Sequence, residues 1–482
     1  MKRAAQSLIQ DETGTLLPVW AVTFVVFFGI VALSFDLGRV GATQSEFQAY
    51  ADQVALTAAG ELDGRSDAIT RATNAAAQLT DIQTYAQGDK ALTSADVTLT
   101  FYSDLPQNDT TAMGAVTTDP RLARYVKATM TPGEVPMTFA AAFASLTGKE
   151  GPEGSVKASA TAGFAQLACD ISPLMFCIPD PSFSAEDAEG HMVRLRSGGV
   201  GSLWGPGDFG FLDPSKNLVD ATGPCAGLNG INLDACLIGA TGTITQCFSI
   251  NGVDIEPGQK VGIEDASFNV RFDMYSAIMN GAKNDPAYAP APNVIRGLEL
   301  GTNGCTAPSP DLSTDTLGLP RDDCFSTGLC TRYGDGTWTL GRLAYVAANY
   351  GVVDPHPEAV TRFDYYKAEI EAAGGGASTT SILTGRSETG RPQCSAHQSD
   401  DPNRRVVVAA GIDCVGNAIA GAATNVPVHE FVKIFLTEPV ASDGLSPPTL
   451  DIWGEIIGPA NDGGAGTGMS SGNVRDFVQL YR

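Results

Sequence analysis

The chain has 482 residues, of which 54 are acidic and 30 basic, so its formal net charge at pH 7 is −24. A chain this acidic repels nucleic acid and anionic lipid headgroups, which excludes nucleic acid as a partner. Its length suffices for two or three domains. Its 54 glycines and 28 prolines favour strands and loops over a helix bundle in the distal part.

An uncharged apolar segment follows a polar tail of residues 1–14. From Thr15 to Phe35 no residue is charged, and a helix of that length rises roughly 31 Å, close to the ~30 Å hydrocarbon core of a bilayer. The apolar region of a secretory signal is shorter, at about 7–15 residues. The sequence therefore predicts a transmembrane helix at 15–35.

The flanks of this segment predict its orientation and its retention in the mature protein. Lys2 and Arg3 precede it and Arg39 alone follows it closely, which favours a cytoplasmic N-terminus. An apolar stripe at helical spacing continues beyond the span, where a cleaved signal would end; its members are Phe47, Tyr50, Ala51, Val54, Ala55 and Ala58.

Two kinds of cleavage are the alternatives to retention. Val40-Gly41-Ala42 resembles a weak signal-peptidase site, and cleavage there would leave a soluble, secreted chain. Prepilin-type processing after Gly14 is not expected, because Val19 stands where that chemistry uses a glutamate. We predict an anchor that stays, continuous with a helix that reaches residue 60.

The sequence predicts one membrane-proximal α+β unit over residues 36–168. An alanine-rich helix begins near Asp63, and the segments 95–102, 124–131 and 154–164 alternate like strands. Between the last two strands, residues 137–148 predict either a small apolar helix or a membrane-facing loop.

The sequence predicts a mostly β region, rich in cysteine and glycine, at residues 169–482. It does not decide whether this region forms one domain or two. A helix is predicted at 361–373, strands at 404–414, 426–440 and 449–460, and a final strand near the C-terminus. The predicted fold class is therefore α+β: one N-terminal transmembrane helix that extends outward, a small α/β unit, and a β-rich region with disulfides.

All ten cysteines lie beyond the predicted span, and their even number suits an oxidising compartment in which disulfides persist. Local loops favour the pairs Cys169/Cys177 and Cys324/Cys330, but the sequence cannot fix the full connectivity. Zinc is disfavoured because no CxxC occurs. The disulfide candidates are Cys169, Cys177, Cys225, Cys236, Cys247, Cys305, Cys324, Cys330, Cys394 and Cys414.

No catalytic motif occurs in the sequence context that its chemistry requires. His429-Glu430 begins like the HExxH of metalloproteases, but Lys433 stands at the second histidine position. No GxxxxGK[ST] occurs, and the one GxSxG, Gly468-Met-Ser470-Ser-Gly472, lies in a glycine cluster that follows no strand–turn–helix pattern and is interpreted as a turn. Asp335 could bind calcium in a loop, although a solvated turn is the better interpretation. We expect no cofactor, no metal and no catalytic residue, while a hydrolase built on two distant carboxylates stays open.

Three elements near the N-terminus occur in the order known from one family. They are Gly14, then Asp36-Leu37-Gly38-Arg39 after the span, then a helix that carries Ala51-Asp52-Gln53-Val54-Ala55-Leu56-Thr57-Ala58-Ala59. This pattern resembles the TadG-like proteins of tight-adherence (Flp-type) pilus systems, over residues 13–62. The family positions are Gly14, Asp36, Gly38, Arg39, Ala51, Asp52, Ala55 and Leu56.

The chain departs from those TadG-like proteins that carry a von Willebrand A domain with a metal-binding Asp-x-Ser-x-Ser. Asp170-Ile-Ser172-Pro-Leu174 and Asp265-Ala-Ser267-Phe-Asn269 come nearest, and both lack the final serine. Adhesion through such a metal site is therefore not expected.

The resemblance implies a bitopic inner-membrane protein with its bulk in the periplasm, acting as a non-catalytic assembly component of a Flp/Tad-type pilus or secretion apparatus. Its expected partners are other pilus-assembly membrane proteins, with one helix in the membrane and no small-molecule substrate. The alternative is an anchored or secreted periplasmic adhesin or hydrolase that acts through residues 170–414.

Two details of the span bear on that role. Gly29, Gly38 and Gly41 either give it a small-residue face for a partner helix or merely loosen it. Asp36 and Arg39, three residues apart, are expected to pair at the membrane edge.

Overall fold

The computed structural model describes two compact units, which are treated separately. Unit 1 comprises Met1–Ala165 and Asp476–Arg482, and unit 2 comprises Gln166–Arg475. The described residues are 16–83, 90–106, 111, 113–146, 153–169, 172–198, 201–213, 223–241, 247–250, 252–256, 264–299, 304–307, 311–442, 449–460 and 474–481. The predicted tail at 1–14, with Gly14, lies outside them.

Unit 1 is organised on helix α1, Leu16–Ala59, which has 44 residues and is about 66 Å long. Its first half exposes large apolar side chains, from Leu17 through Phe35. Its second half buries one stripe, in which Tyr50 and Ala55 are fully covered. The predicted continuous helix is therefore present, and among the described residues α1 alone is long and apolar enough to cross a membrane.

A small antiparallel sheet packs on the second half of α1. Strand β3 (Val97–Tyr102) pairs with β4 (Tyr125–Met130), which pairs with the first half of β7 (Ser159–Cys169). Helix α2 (Ala68–Ala77), the hairpin of β1 (Asp81–Gln83) and β2 (Lys90–Leu92), and the hairpin of β5 (Gly133–Pro136) and β6 (Glu153–Val156) complete the unit, with helix α3 (Thr138–Leu146) between β5 and β6.

The last strand of the chain, β18 (Val474–Leu480), pairs with β7. The sequence analysis placed the C-terminus in the distal domain, whereas the contacts place residues 476–482 in unit 1. Val478 packs against the unit 1 core, and the Tyr481 amide donates to the Thr161 carbonyl at 2.8 Å. The predicted boundary at 168/169 also lies slightly beyond the division at Ala165.

Unit 2 is built on a sheet whose pairings close on themselves. Strand β8 neighbours β13, then β15, β17, β9, β10 and β8 again. Three further strands, β12, β14 and β16, extend this ring. The strands are β8 Leu174–Cys177, β9 Met192–Ser197, β10 Asp208–Leu212, β11 Cys247–Ser249, β12 Val253–Glu256, β13 Val406–Ile412, β14 Ala423–Val426, β15 Glu430–Leu436, β16 Ala441–Ser442 and β17 Leu450–Pro459.

The ring buries side chains on both faces. Alternate residues of β13, such as Val407 and Ala409, belong to one apolar cluster, while Val408 and Ala410 belong to another, as the period of two in a strand requires. Because both faces are covered, the neighbouring strands β8 (LMFC) and β13 (VVVAAGI) are continuously apolar. The helices of unit 2 are α4 Gly230–Gly239, α5 Glu264–Asn269, α6 Asp323–Thr327, α7 Thr339–Asn349 and α8 Arg362–Ala372. The fold class predicted from the sequence, α+β with one long N-terminal helix and a β-rich distal region, is confirmed.

Disulfides link distant parts of unit 2. The described bonds join Cys177 to Cys414, Cys225 to Cys236, Cys305 to Cys394 and Cys324 to Cys330, and Cys169 is also disulfide-bonded. The local pair Cys324/Cys330 is confirmed. The pair Cys169/Cys177 is wrong, because β8 and β13 are parallel neighbours with Cys177 opposite Ile412, which brings Cys177 close to Cys414.

Candidate functional site

The candidate site is the part of α1 that carries the three-element pattern, and Asp36 is its buried charged residue, with 1% of its surface exposed. Its carboxylate accepts hydrogen bonds from the Phe139 amide at 3.0 Å and from the Ala140 amide at 2.8 Å. Both amides lie in the first turn of α3, where backbone donors lack partners within their own helix. Asp36 therefore caps α3 from α1, and its charge complements the positive end of the helix dipole.

Arg39 binds the same segment from one turn further along α1. Its Nη1 donates to the Pro136 carbonyl at 3.1 Å and to the Thr138 hydroxyl at 2.9 Å. Asp36 and Arg39 together with residues 136–140 are called the membrane-proximal clamp below. The sequence predicted that these two side chains pair with each other. In the structure, the hydrogen bonds described for Asp36 and Arg39 are instead to residues 136–140.

The glycines of α1 have a different environment. A Cβ atom added at Gly29, Gly38 or Gly41 would meet no heavy atom within 4 Å. Packing within unit 1 therefore does not require glycine at these positions, although glycine weakens a helix by about 0.5–1 kcal/mol relative to alanine. Whether they serve a partner helix stays a prediction.

The alanine-rich stretch forms the interface of α1 with the rest of unit 1. Ala51 and Ala55 are fully buried, together with Ala58 and Ala59. Small side chains there let the helix approach its neighbours closely. Leu56 lies on the outer side and is 37% exposed, so the family positions divide between a buried face and an outward one.

Two glutamines in this part of α1 were missed in the sequence analysis. Gln44 Nε2 donates to the Lys157 carbonyl at 2.6 Å, and Gln48 Nε2 donates to the Ser159 carbonyl at 3.1 Å and to the Asp52 carboxylate at 2.7 Å. These amides attach α1 to the start of β7. Their spacing of four residues was the available signal, but no sequence pattern identifies backbone partners more than a hundred residues away.

Comparison with known proteins bears on this segment. Residues 14–61 match the Tad family model, which is described as Flp pilus-assembly TadE/G-like. The match confirms the resemblance for about the first tenth of the chain, and residues 14–61 are called the Tad segment below. No curated protein and no solved structure matches the chain.

The Tad segment thus includes the exposed apolar half of α1, both clamp residues and the alanine interface. Its apolar half is long enough for a single-pass anchor, and its second half is part of a folded core. One continuous helix therefore joins the candidate anchor to unit 1.

In unit 2, one group of described residues has the composition of a metal site, with ligand atoms of Asp322, Cys324 and Asp335 within 4.8 Å of one another. Cys324 is bonded to Cys330, so it offers no thiolate. Asp335 accepts from the Thr337 amide in a turn, as a solvated turn would. Asp322 is committed to the buried network described next, and we assign no metal to this group.

That network centres on Arg362, whose side chain is fully buried. It forms ion pairs with Asp322 and, at 3.0 Å, with Glu455, and both acids are also fully buried. Glu455 further accepts from the Arg362 and Phe363 amides at 2.9 and 2.8 Å. Burial raises the pKa of Glu455, and Arg362 opposes the rise. The network joins β17, α8 and the loop before α6.

Glu369 on α8 is a second buried acid. Its carboxylate accepts from the Tyr345 and Tyr350 hydroxyls at 2.6 and 2.8 Å and from the Asn293 amide at 2.6 Å. Burial raises the pKa of Glu369 to about 7, against these three hydrogen bonds. All three donors belong to the protein and the side chain is 1% exposed, so the acid stabilises the packing of α7 and α8.

The four histidines of the chain have separate partners. His429 Nε2 lies 2.9 Å from the Phe183 carbonyl, and His397 Nε2 lies 3.0 Å from the Asn284 carbonyl. The His356 ring packs edge-to-face on Tyr365, and His191 lies beside Gly336. Each histidine has a different neighbour, and the four histidines do not form one cluster.

Proposed function

We propose that the chain is a membrane-anchored, non-catalytic structural component of a Flp/Tad-type pilus or secretion apparatus. The match of residues 14–61 to the Flp pilus-assembly model carries this proposal. Its partners are other membrane proteins of the assembly machine, reached through α1 or through the units that α1 supports.

The construction of α1 supports an anchoring role. The helix exposes apolar side chains as far as Leu37, and from Phe47 onward one of its faces is buried. No break separates the two halves, so a single helix carries both the span and part of the folded core of unit 1. A component built in this way holds its folded part at a fixed height above a bilayer, which an assembly platform requires and a diffusing enzyme does not.

The proposed location is the inner membrane, with a cytoplasmic N-terminus and both units in the periplasm. Lys2 and Arg3 before the span support this orientation. The disulfides of unit 2 support an oxidising compartment.

The test is deletion of the chain in its native host, followed by a count of surface pili by electron microscopy. We expect pili to be lost and to return when the full chain is supplied. The same strains, fractionated without reductant, should yield an uncut chain in the inner-membrane fraction. Wild-type pilus numbers after deletion would overturn the proposal, as would a soluble chain that begins near residue 42.

A further inference from the structure

The β5–β6 hairpin runs along α1 toward the apolar span. At its upper end, a Cβ added to Gly133 would lie 2.5 Å from the Phe47 ring; nearer its lower end, where Gly154 pairs with Val135, a Cβ added to Gly154 would lie 2.9 Å from Val40. At its lower end, the chain after Pro136 reaches Asp36. From Phe47 to Asp36 the helix axis advances about 16 Å. The tip of the hairpin therefore lies level with the last residues of the span.

The tip is apolar. Helix α3 has the sequence TFAAAFASL, without a charged residue. Phe139 is 45% exposed, and Ala141 and Ala142 are also exposed. The Phe139 ring contacts the Phe35 ring edge-to-face at 5.4 Å between centroids, and Phe35 is itself 56% exposed. The exposed surface of α3 is thus continuous with that of the span.

We propose that α3 is a second membrane contact, a short helix that lies in the bilayer interface beside α1. The inference rests on the proposed anchoring of α1. Lipid is the occupant because the exposed apolar surface of α3 joins that of the span, which is long and apolar enough to cross a bilayer.

The clamp explains how an acid is tolerated at this depth. An unpaired carboxylate at the edge of the hydrocarbon is costly. The Asp36 carboxylate accepts from two α3 amides, so each group satisfies the other in a region that water reaches poorly. With two points of contact, unit 1 has a fixed rotation about the α1 axis as well as a fixed height.

Photocrosslinking of the full chain tests the inference. p-Benzoylphenylalanine replaces Phe139 in one variant, Val31 of the span in a second and Val116 in a third. Val116 is a matched control, since it is an exposed apolar residue of unit 1, with 62% of its surface accessible. Val116 forms a β-bridge with Tyr102 at one end of the sheet. Gln48 of α1 contacts the opposite end of the same sheet, at Ser159. Each variant is placed in nanodiscs of phosphatidylethanolamine and phosphatidylglycerol and irradiated, and its peptides are weighed.

We expect lipid adducts at positions 31 and 139 in comparable yield. At position 116 we expect no lipid adduct. A lipid adduct at 31 without one at 139 would overturn the role of α3 and leave the anchoring intact. Absence of a lipid adduct at 31 would overturn both. In native membranes, a protein adduct at 139 in place of lipid would overturn the inference in favour of a partner helix.

Discussion

The two units are stabilised in different ways. Unit 1 contains no cysteine, and its ion pairs around Arg71 are partly exposed. Its core is small apolar side chains of α1 against a sheet. Unit 2 holds all ten cysteines and buries complete ion pairs, such as Arg362 with Asp322 and Glu455.

The contrast follows from secondary structure. A 44-residue helix satisfies its own backbone and needs only one face covered. Unit 2 contains long stretches outside helices and strands, such as residues 373–401, in which backbone and side-chain groups need other partners. Buried arginines supply such partners, as Arg391 does by donating to the Pro292 and Thr380 carbonyls at 2.7 and 2.9 Å, and disulfides add covalent links between these stretches.

Replacement of Arg362 by methionine should destabilise unit 2 most. The change leaves Asp322 and Glu455 buried without their cation, and removal of one partner from a buried pair costs about 3–5 kcal/mol. Urea unfolding followed by tryptophan fluorescence measures it, because Trp204, Trp338 and Trp453 are buried in unit 2. The control is Lys367→Ala on the same helix, whose partner Asp364 is exposed, with an expected loss of about 1 kcal/mol or less.

Removal of the Cys177–Cys414 bond, by C177A with C414A, comes second. The bond closes a loop with a sequence separation of 237, and loss of a native disulfide typically costs about 2–5 kcal/mol. Removal of Cys324–Cys330, with a separation of 6, should cost less, because a short loop constrains the unfolded chain less. Equal losses in urea unfolding would contradict this account. Hydrogen exchange of unit 1 should not change in either variant.

Glu369 should make the stability of unit 2 depend on pH. Its folded pKa of about 7 lies above the usual 4.5, so the folded state binds the proton more tightly than the unfolded chain. The resulting stabilisation is complete below pH 4.5 and is lost as the pH rises through about 7, by up to about 3 kcal/mol. The variant E369Q lacks this group, so its unfolding free energy relative to wild type should shift across that range. A constant difference from pH 4 to pH 8 would refute the assignment.

These residues also show how far sequence could lead. The span, the alternating strands and helix α8, with Thr361 and Asp364 at its start, follow from local periodicity and capping. The closure of the ring by β9, the pairing of β18 with β7 and the Cys177–Cys414 bond depend on which distant strands become neighbours. The motif positions Asp36 and Arg39 could be named from sequence, but their partners lie about a hundred residues away.

In unit 1 the corresponding weakness is overpacking. Ala55 is fully buried between α1 and its neighbours, so A55L forces larger atoms into a closed space, at a cost of about 1–3 kcal/mol. A49L is the matched control, since Ala49 lies on the exposed side of the same helix. Hydrogen exchange of β4 and β7 reports the loss. Similar exchange in both variants would mean that the α1 interface is loose, and the contrast between the units would then weaken.

The smallest effect is expected for D36A, which removes the cap on α3. Loss of an N-terminal cap costs about 0.5–2 kcal/mol, and because the carboxylate binds only the first turn of α3, the loss should stay local. The Phe139 and Ala140 amides should exchange faster, whereas β3 and β4 should keep their protection. D36N retains an acceptor oxygen and should fall between wild type and D36A. If D36A instead increased amide exchange throughout unit 1, the clamp would be part of the core of that unit. The distinction between a rigid core and an attached membrane contact would then be wrong.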